Sequence, residues 1–254
     1  MKGLDLNLKG EKALITGGSH GLGSFISQAF GKAGADLAIH YNTNETSAKE
    51  LAKSLEGSVK VETFRADLSD PDNVRTLMRN VIDSLGGVSI LVNCAASETQ
   101  NTCALGDLTD EKWEFTQRVN LQAPMILTQE FAKQKKDGSV INILSIEGQQ
   151  PAPGHAHYSI SKSALEMLTK ASALEFGYLG IRVNGIAPGL IYREGIDSAW
   201  PEGVELWKKN APLEKLVDPE DIANAAIFLA SDKASSISGS VLTIDCGVSA
   251  TPRW

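Results

Sequence analysis

The chain has 254 residues, of which 42% are hydrophobic and 22% charged, a composition typical of a globular protein with a well-buried core. Its formal net charge of -7 offers no basic surface to phosphate backbones, so nucleic acids and anionic membranes are not expected partners. Residues 1–5 contain no apolar signal core, and no run approaches the ~18 apolar residues of a membrane span, so we expect a cytoplasmic protein. Three scattered cysteines, Cys94, Cys103 and Cys246, predict reduced thiols with neither a disulfide nor a zinc site.

Short β-rich apolar runs alternate along the chain with longer segments of helical period, which is the pattern of βαβ units. The runs predict seven strands, at residues 12–16, 36–41, 59–65, 90–93, 139–144, 182–187 and 241–244. Right-handed crossovers make a single-domain, Rossmann-type doubly wound α/β fold the simplest topology for residues 1–254, with a seven-stranded parallel sheet and helices on both faces. Its ligand crevice is expected beyond the carboxyl ends of the strands, and residues 190–215 are predicted to form a partly irregular insertion.

The first strand-to-helix junction is rich in glycine and reads Thr16-Gly17-Gly18-Ser19-His20-Gly21-Leu22-Gly23. Gly17 suits a turn that a β-carbon would hinder, Gly21 lets the backbone approach a pyrophosphate, and Gly23 lets the helix pack closely on the strand. The helix N-terminus then faces the phosphates. The junction therefore predicts a dinucleotide site, with an ordinary tight connection as the alternative.

The second strand ends in Ile39-His40-Tyr41-Asn42-Thr43, without the Asp or Glu that would bind the ribose hydroxyls of NAD. Because no carboxylate repels a 2′-phosphate there, NADP(H) is preferred over NAD(H), with His20, Asn42, Thr43 and Ser47 as polar partners. No Arg or Lys stands beside this strand end in the sequence, and the same polar residues can equally solvate a loop.

Ser145, Tyr158 and Lys162 follow the spacing Ser-x12-Tyr-x3-Lys. The helical apolar pattern after Tyr158 places Tyr158 and Lys162 on one helix face, where the ammonium is expected to favour the phenolate. If Ser145 joins them, all three groups meet one carbonyl oxygen, which predicts a carbonyl-reducing or alcohol-oxidising enzyme. Taken alone, the pair on the helix can also be a chance neighbourhood of two exposed residues.

Together these motifs resemble the short-chain dehydrogenase/reductase family over essentially the whole chain. Thr16, Gly17, Gly21 and Gly23 match the family's glycine turn, and Pro188-Gly189 matches its Pro-Gly after the sixth strand. The resemblance implies that Asp67, with Leu68, contacts the adenine, and that Asn120 is a catalytic residue holding a water in a proton relay to Lys162. The full set of expected cofactor-binding residues is Gly17, Ser19, His20, Gly21, Leu22, Gly23, Tyr41, Asn42, Thr43, Asp67, Leu68, Asn93, Ala95, Tyr158, Lys162, Pro188, Gly189 and Ile191.

The chain departs from the family pattern in three places. It has Asn93-Cys94-Ala95-Ala96 where the family often reads Asn-Asn-Ala-Gly, a change that concerns local cofactor contacts and not the chemistry. Arg193 stands where a Thr often holds the nicotinamide carboxamide, so that contact is expected from backbone near Ile191. His20 replaces the Arg of many NADPH-dependent reductases, and a neutral imidazole holds a phosphate less firmly than a guanidinium.

The resemblance implies hydride transfer between C4 of the nicotinamide and a carbonyl carbon, with Tyr158 as proton donor and Ser145 bonding the same oxygen. It also implies a homotetramer, in which helices near residues 107–135 and 158–178 pair between subunits. The expected substrate is a small to medium, polar or ring-bearing ketone bound by Glu147, Gln149, His155, Tyr192, Trp200 and Trp207, although the tryptophans can equally anchor a lid or an interface. Two alternatives stay open: an NAD-dependent alcohol dehydrogenase of the same fold, and a non-catalytic NADP(H)-binding regulatory protein.

Overall fold

A computed structural model describes residues 6–97 and 102–250 of the chain, and in these ranges seven parallel strands form one sheet. The strands are β1 (Lys12–Ile15), β2 (Asp36–Tyr41), β3 (Val61–Arg65), β4 (Ile90–Asn93), β5 (Gly138–Ile143), β6 (Ile181–Pro188) and β7 (Val241–Ile244). Their order across the sheet is β3-β2-β1-β4-β5-β6-β7. The connections reverse direction between β1 and β4, and a crevice opens at the carboxyl ends of strands at such a point.

Helices fill the connections between the strands. They are α1 (Gly21–Lys32), α2 (Glu45–Ser54), α3 (Pro71–Leu85), α4 (Asp110–Gln117), α5 (Ala123–Ala132), α6 (Ala156–Phe176), α7 (Ile196–Ala199), α8 (Pro201–Asn210) and α9 (Pro219–Ala230). Between α4 and α5 the chain stays helical through a π-helical turn at Arg118–Gln122, so residues 110–132 form one interrupted rod. Such π turns widen a helix locally and are frequent at functional sites.

Local sequence explains where these helices begin. Asp70 and Asp218 each accept hydrogen bonds from backbone N–H groups of the following turn, and each is followed by a proline at the first helical position. Asn44 and Thr109 cap α2 and α4 in the same way. His20, at the start of α1, makes no side-chain capping bond, so α1 leaves its first N–H groups open to another acceptor.

Apolar side chains are buried on both faces of the sheet. One core lies between the sheet and helices α1 and α9, where Ile26, Phe30 and Ile222 are fully buried. The other lies under α3 and α5, where Met78 and Leu127 are fully buried. Helices therefore cover both faces, which confirms the predicted doubly wound architecture.

All seven strands occur where the periodicity predicted them, with ends displaced by no more than two residues. The predicted insertion contains α7 and α8 rather than only irregular chain. Within the ranges that the structure describes, no helix is long and apolar enough to cross a bilayer. Residues 1–5, which carried the expectation about a leader segment, lie outside the described residues. The thiols of Cys94, Cys103 and Cys246 are free.

Candidate active site

The glycine turn joins β1 to α1 and forms one wall of a cleft at the carboxyl end of the sheet. Gly17 and Gly21 have φ angles of +62° and +52°, a region that β-carbons disfavour. A β-carbon built on Gly21 meets no atom within 4 Å, whereas one on Gly23 would collide with the Gly17 carbonyl oxygen. No acidic residue lies in the first turn of α1. An uncapped helix N-terminus beside an open glycine turn fits a phosphate group.

A cation that the sequence did not reveal lies beside the end of β2. Arg65 lies opposite Tyr41 in the register of β3 with β2, and its Nε donates a hydrogen bond of 3.2 Å to the Asn42 carbonyl oxygen. The expectation that no Arg or Lys stands beside this strand end is therefore wrong. Strand pairing, and not proximity along the chain, places Arg65 there.

The β3 end contributes two of the predicted adenine contacts. Asp67 and Leu68 both line the cleft. The Asp67 carboxylate accepts hydrogen bonds of 2.8 Å from the Ser69 N–H and 2.7 Å from the Ser69 hydroxyl, which fixes its orientation at the start of the loop. The cleft therefore runs from the α1 N-terminus across the ends of β2 and β3.

The segment after β4 departs from the family pattern, yet hydrogen bonds still hold its backbone against β1. The Thr16 hydroxyl accepts hydrogen bonds of 3.0 Å and 3.1 Å from the N–H groups of Cys94 and Ala95. Asn93 is buried and its amide donates to the Asn142 side chain at 2.8 Å, so this predicted cofactor residue faces the sheet interior. Thr16 thus holds the backbone of the Cys94-Ala95 segment against β1.

Most of the predicted cofactor residues line the cleft. Three residues of the full set, Ser19, Thr43 and Asn93, do not line it, and the Ser19 hydroxyl lies 3.4 Å from the His20 ring. Ser47, the further polar partner expected near the end of β2, does not line it either. The predicted residues that do line it are Gly17, His20, Gly21, Leu22, Gly23, Tyr41, Asn42, Asp67, Leu68, Ala95, Tyr158, Lys162, Pro188, Gly189 and Ile191.

The four predicted catalytic residues, Asn120, Ser145, Tyr158 and Lys162, are called the tetrad below, and all but Asn120 line the same cleft. Ser145 follows β5, Tyr158 and Lys162 lie in the first two turns of α6, and the Tyr158 phenol is hydrogen bonded to the Ser145 hydroxyl. The Lys162 Nζ donates a 2.7 Å hydrogen bond to the Ile143 carbonyl oxygen and lies 5.6 Å from the centre of the Tyr158 ring.

Asn120 lies fully buried in the π-helical turn behind these residues. Its Oδ1 accepts a 2.7 Å hydrogen bond from the Ser97 N–H, and its Nδ2 donates a 3.0 Å bond to the Ser161 hydroxyl. Ser161 in turn donates to the Tyr158 carbonyl oxygen at 2.6 Å. Asn120 therefore connects the rod of residues 110–132 to the helix that carries Tyr158.

Burial dominates the protonation of the site. It raises the pKa of Tyr158 above the usual range; the Glu147 carboxylate raises it further, and the hydrogen bond with Ser145 offsets part of the shift. Burial lowers the pKa of Lys162 to about 8. The expected lowering of the phenol's pKa by Lys162 is thus not met in this arrangement, and Tyr158 stands as a protonated acid.

The cleft has a volume of about 410 Å³. Beside the tetrad its walls include Cys94, Phe115, Val119 and Leu144, none of which the sequence singled out as site residues. Burial raises the pKa of the Cys94 thiol to about 12, so it is neutral. Over the described ranges, no group of three or more His, Cys, Asp or Glu side chains is placed to hold a metal ion.

The six predicted substrate residues are not among those that line this cleft. The Gln149 amide donates to Glu166 at 3.0 Å, and His155 is paired with Glu147 at 2.9 Å. The remaining three lie on the insertion. Tyr192 and Trp200 are about half exposed, and the Trp207 indole packs against Gly189.

Comparison with known proteins extends over nearly the whole chain. A family model described as enoyl-(acyl carrier protein) reductase matches residues 17–249. The sequence is 34% identical to 3beta-hydroxysteroid dehydrogenase 1 of Eggerthella lenta over 255 residues, covering 98% of this chain and 97% of that protein.

Two of the solved structures with similar folds contain a bound cofactor. One is a blue fluorescent protein from a metagenomic library in complex with NADPH, with 32% identity and a TM-score of 0.90, covering 95% of this chain and 99% of that one. The other is a short chain dehydrogenase from Burkholderia cenocepacia J2315 in complex with NADP, with 30% identity and a TM-score of 0.90, covering 96% of this chain and 99% of that one.

Proposed function

The chain belongs to the short-chain dehydrogenase/reductase family, and from this we propose that it reduces a ketone to an alcohol with NADPH. The family membership itself makes it an NAD(P)-dependent oxidoreductase acting on CH–OH or C=O groups. The observation that carries the proposal is the Tyr158 phenol, hydrogen bonded to Ser145 and close to Lys162, at the end of a cleft that begins at the glycine turn.

When bound, the nicotinamide supplies or accepts a hydride at C4. Tyr158, kept protonated by its burial, gives its proton to the substrate oxygen. The Ser145 hydroxyl donates to the same oxygen and stabilises the negative charge that develops there. Lys162 is protonated below about pH 8 and holds positive charge beside the ring. Asn120 holds the helix of Tyr158 in place through Ser161. We propose in addition that it orders a relay water, the role that the family resemblance implies.

Two features of the adenosine end favour NADP(H) over NAD(H). The residues directly after β2, Asn42, Thr43 and Asn44, carry no carboxylate to repel a 2′-phosphate, and the next residue, Glu45, is paired with Lys49 at 2.7 Å. Arg65 places a guanidinium at the Asn42 carbonyl, where charge-assisted bonds to a phosphate can form. The complexes of similar proteins with NADPH and NADP agree with this preference. An NAD-dependent alcohol dehydrogenase remains the main alternative, and a non-catalytic regulator is disfavoured by the assembled tetrad.

The substrate proposal is a small to medium ketone that carries a ring or a polar group. Phe115, Val119, Leu144 and Ile191 line the cleft and suit an apolar ring. The six residues predicted to bind the substrate lie outside the cleft. In our proposal they contact the substrate only if its binding moves the insertion, and the loop that contains Glu147, towards the tetrad.

The decisive test pairs Tyr158→Phe with Tyr178→Phe, a control at the end of α6 whose side chain is 85% exposed. NADPH depletion is followed against cyclic ketones, β-ketoesters, quinones, sugars and pterins, and again with NADH. We expect Tyr158→Phe to abolish most turnover while its dissociation constant for NADPH is unchanged, and Tyr178→Phe to behave as wild type. Near-normal turnover by Tyr158→Phe would contradict the role of Tyr158 as proton donor. Equal use of NADH by the wild type would contradict the preference for NADPH.

We also propose a homotetramer. Along α6, Ile160, Met167 and Leu174 recur every seven residues with 46%, 64% and 85% of their surface exposed, an apolar stripe suited to pairing with a second copy. Light scattering should give about four times the chain mass of 27.1 kDa. A species of a single chain mass would overturn this assembly.

A further inference from the structure

His40 is a polar residue at a buried position of the sheet. It lies on β2, between β1 and β3, with 2% of its surface exposed. It shares its strand face with Ala38, which is packed in the core under α3. An imidazole in such surroundings is unfavourable unless its ring nitrogens are hydrogen bonded.

Both ring nitrogens of His40 have partners, and the partners fix its tautomer. Nδ1 accepts a 3.0 Å hydrogen bond from the Gly17 N–H, and Nε2 lies 3.1 Å from the Ala66 carbonyl oxygen. A backbone N–H can only donate and a carbonyl oxygen can only accept, so Nδ1 is unprotonated and Nε2 carries the hydrogen. Burial lowers the pKa of His40 to about 4, which keeps the ring neutral at physiological pH.

The two partners belong to separate parts of the cleft. Gly17 opens the glycine turn, 23 residues before His40, and its φ of +62° depends on the path of the turn. Ala66 lies 26 residues after His40 and directly precedes Asp67 and Leu68 of the adenine end. The His40 backbone adds a third bond, because its carbonyl accepts from the Gly18 N–H at 3.0 Å.

We propose that His40 is a positioning residue for the dinucleotide, since its imidazole ties the glycine turn to the β3 end and so sets the distance between the phosphate and adenine subsites. The inference rests on the proposed cofactor class. Without the Gly17 bond, the turn has a buried N–H that lacks an acceptor, and it relaxes towards other conformations. The conformation that binds the dinucleotide is then less populated, which weakens the apparent affinity. His40 therefore affects affinity for the whole cofactor and leaves the chemistry of the tetrad unchanged.

Three substitutions separate the two ring bonds. His40→Asn keeps an acceptor near the Nδ1 position for Gly17 but does not reach Ala66. His40→Gln carries its donor near the Nε2 position for Ala66 and lacks the acceptor for Gly17. His40→Leu has neither. The matched control is Asn184→Leu, which removes a fully buried amide with two backbone partners, Ile237 O at 2.8 Å and Ser240 N at 3.1 Å, outside the cleft.

The dissociation constant for NADPH is measured at pH 7 by energy transfer from tryptophan, beside the melting temperature and kcat at saturating NADPH. We expect His40→Leu, which lacks both ring bonds, to bind NADPH about tenfold more weakly than wild type. His40→Asn and His40→Gln each break one of the two bonds and should bind about threefold more weakly. The kcat of each should stay within about twofold of wild type, because the tetrad is intact. Asn184→Leu should lower the melting temperature without weakening binding.

Wild-type affinity in His40→Leu, with a loss of melting temperature like that of Asn184→Leu, would overturn the inference and reduce His40 to a structural residue. If His40→Leu does not fold, the Asn and Gln variants decide, and wild-type affinity in both would overturn the inference. A wild type that binds neither NADPH nor NADH would overturn the proposed function as well. Loss of binding in the His40 variants alone, with wild-type binding intact, supports both.

Discussion

Mild acidification should weaken the folded state through His40, and His40→Asn isolates that contribution. Burial depresses the pKa of His40 from 6.5 to about 4, while the bond to the Ala66 carbonyl offsets a small part of the shift. Between these two values the unfolded chain binds a proton that the native chain does not. Stability from this residue is therefore complete above about pH 6.5 and is lost progressively as the pH falls towards 4.

The size of the effect follows from the two pKa values. At pH 5 about 97% of unfolded His40 side chains carry the proton, against about 9% of native ones. The resulting loss between pH 7 and pH 5 is about 2 kcal/mol, and it reaches about 3 kcal/mol at pH 4. A loss of this size is a large fraction of the stability of an ordinary domain.

Urea unfolding of wild type and His40→Asn at pH 7 and pH 5, at equal protein concentration, measures the difference. The other three histidines and all carboxylates are common to both proteins, so their titration cancels. The free energy of unfolding of the wild type should fall about 2 kcal/mol more than that of His40→Asn. Equal losses in the two proteins would refute the reasoning, because they would mean that His40 takes up its proton as easily in the native state.

Three further outcomes follow from other residues. Arg65→Gln should lower kcat/KM for NADPH about tenfold relative to that for NADH, whereas Arg79→Gln on the exposed face of α3 should not, and an unchanged ratio would argue against Arg65. Turnover should fall as the pH rises through about 8, where Lys162 loses its proton, and a profile flat to about pH 10 would contradict this. Lys135→Gly should raise the free energy of unfolding by up to about 1 kcal/mol because Lys135 has a φ of +51°, whereas Lys136→Gly should lower it, both measured in urea.

The features that the sequence predicted well are those decided by neighbouring residues. Each strand is a short apolar run, and the glycine turn and the Tyr158-Lys162 pair are fixed by spacing within one or two turns of chain. The sequence did not predict the roles of Arg65 and His40, because these roles depend on strand pairing. Arg65 reaches Asn42 only through the register of β3 with β2, and His40 meets Gly17 and Ala66 only because β1 and β3 flank its strand.

The residues that line the pocket were not predicted for a different reason. The sequence does not determine in which direction side chains on loops and on the insertion point. Trp207 was predicted to meet the substrate, yet a β-carbon on Gly189 would lie 2.5 Å from its ring, and its Nε1 donates to the Lys215 carbonyl at 3.1 Å. The indole thus fastens α8 onto the end of β6. Because Gly189 lines the cleft at that end, Trp207 shapes the site through the backbone it covers. If the insertion closes over a substrate, Trp207 and Gly189 must either move together or lose their contact. Because one side of the indole is buried against Gly189, moving together costs less free energy than breaking the contact.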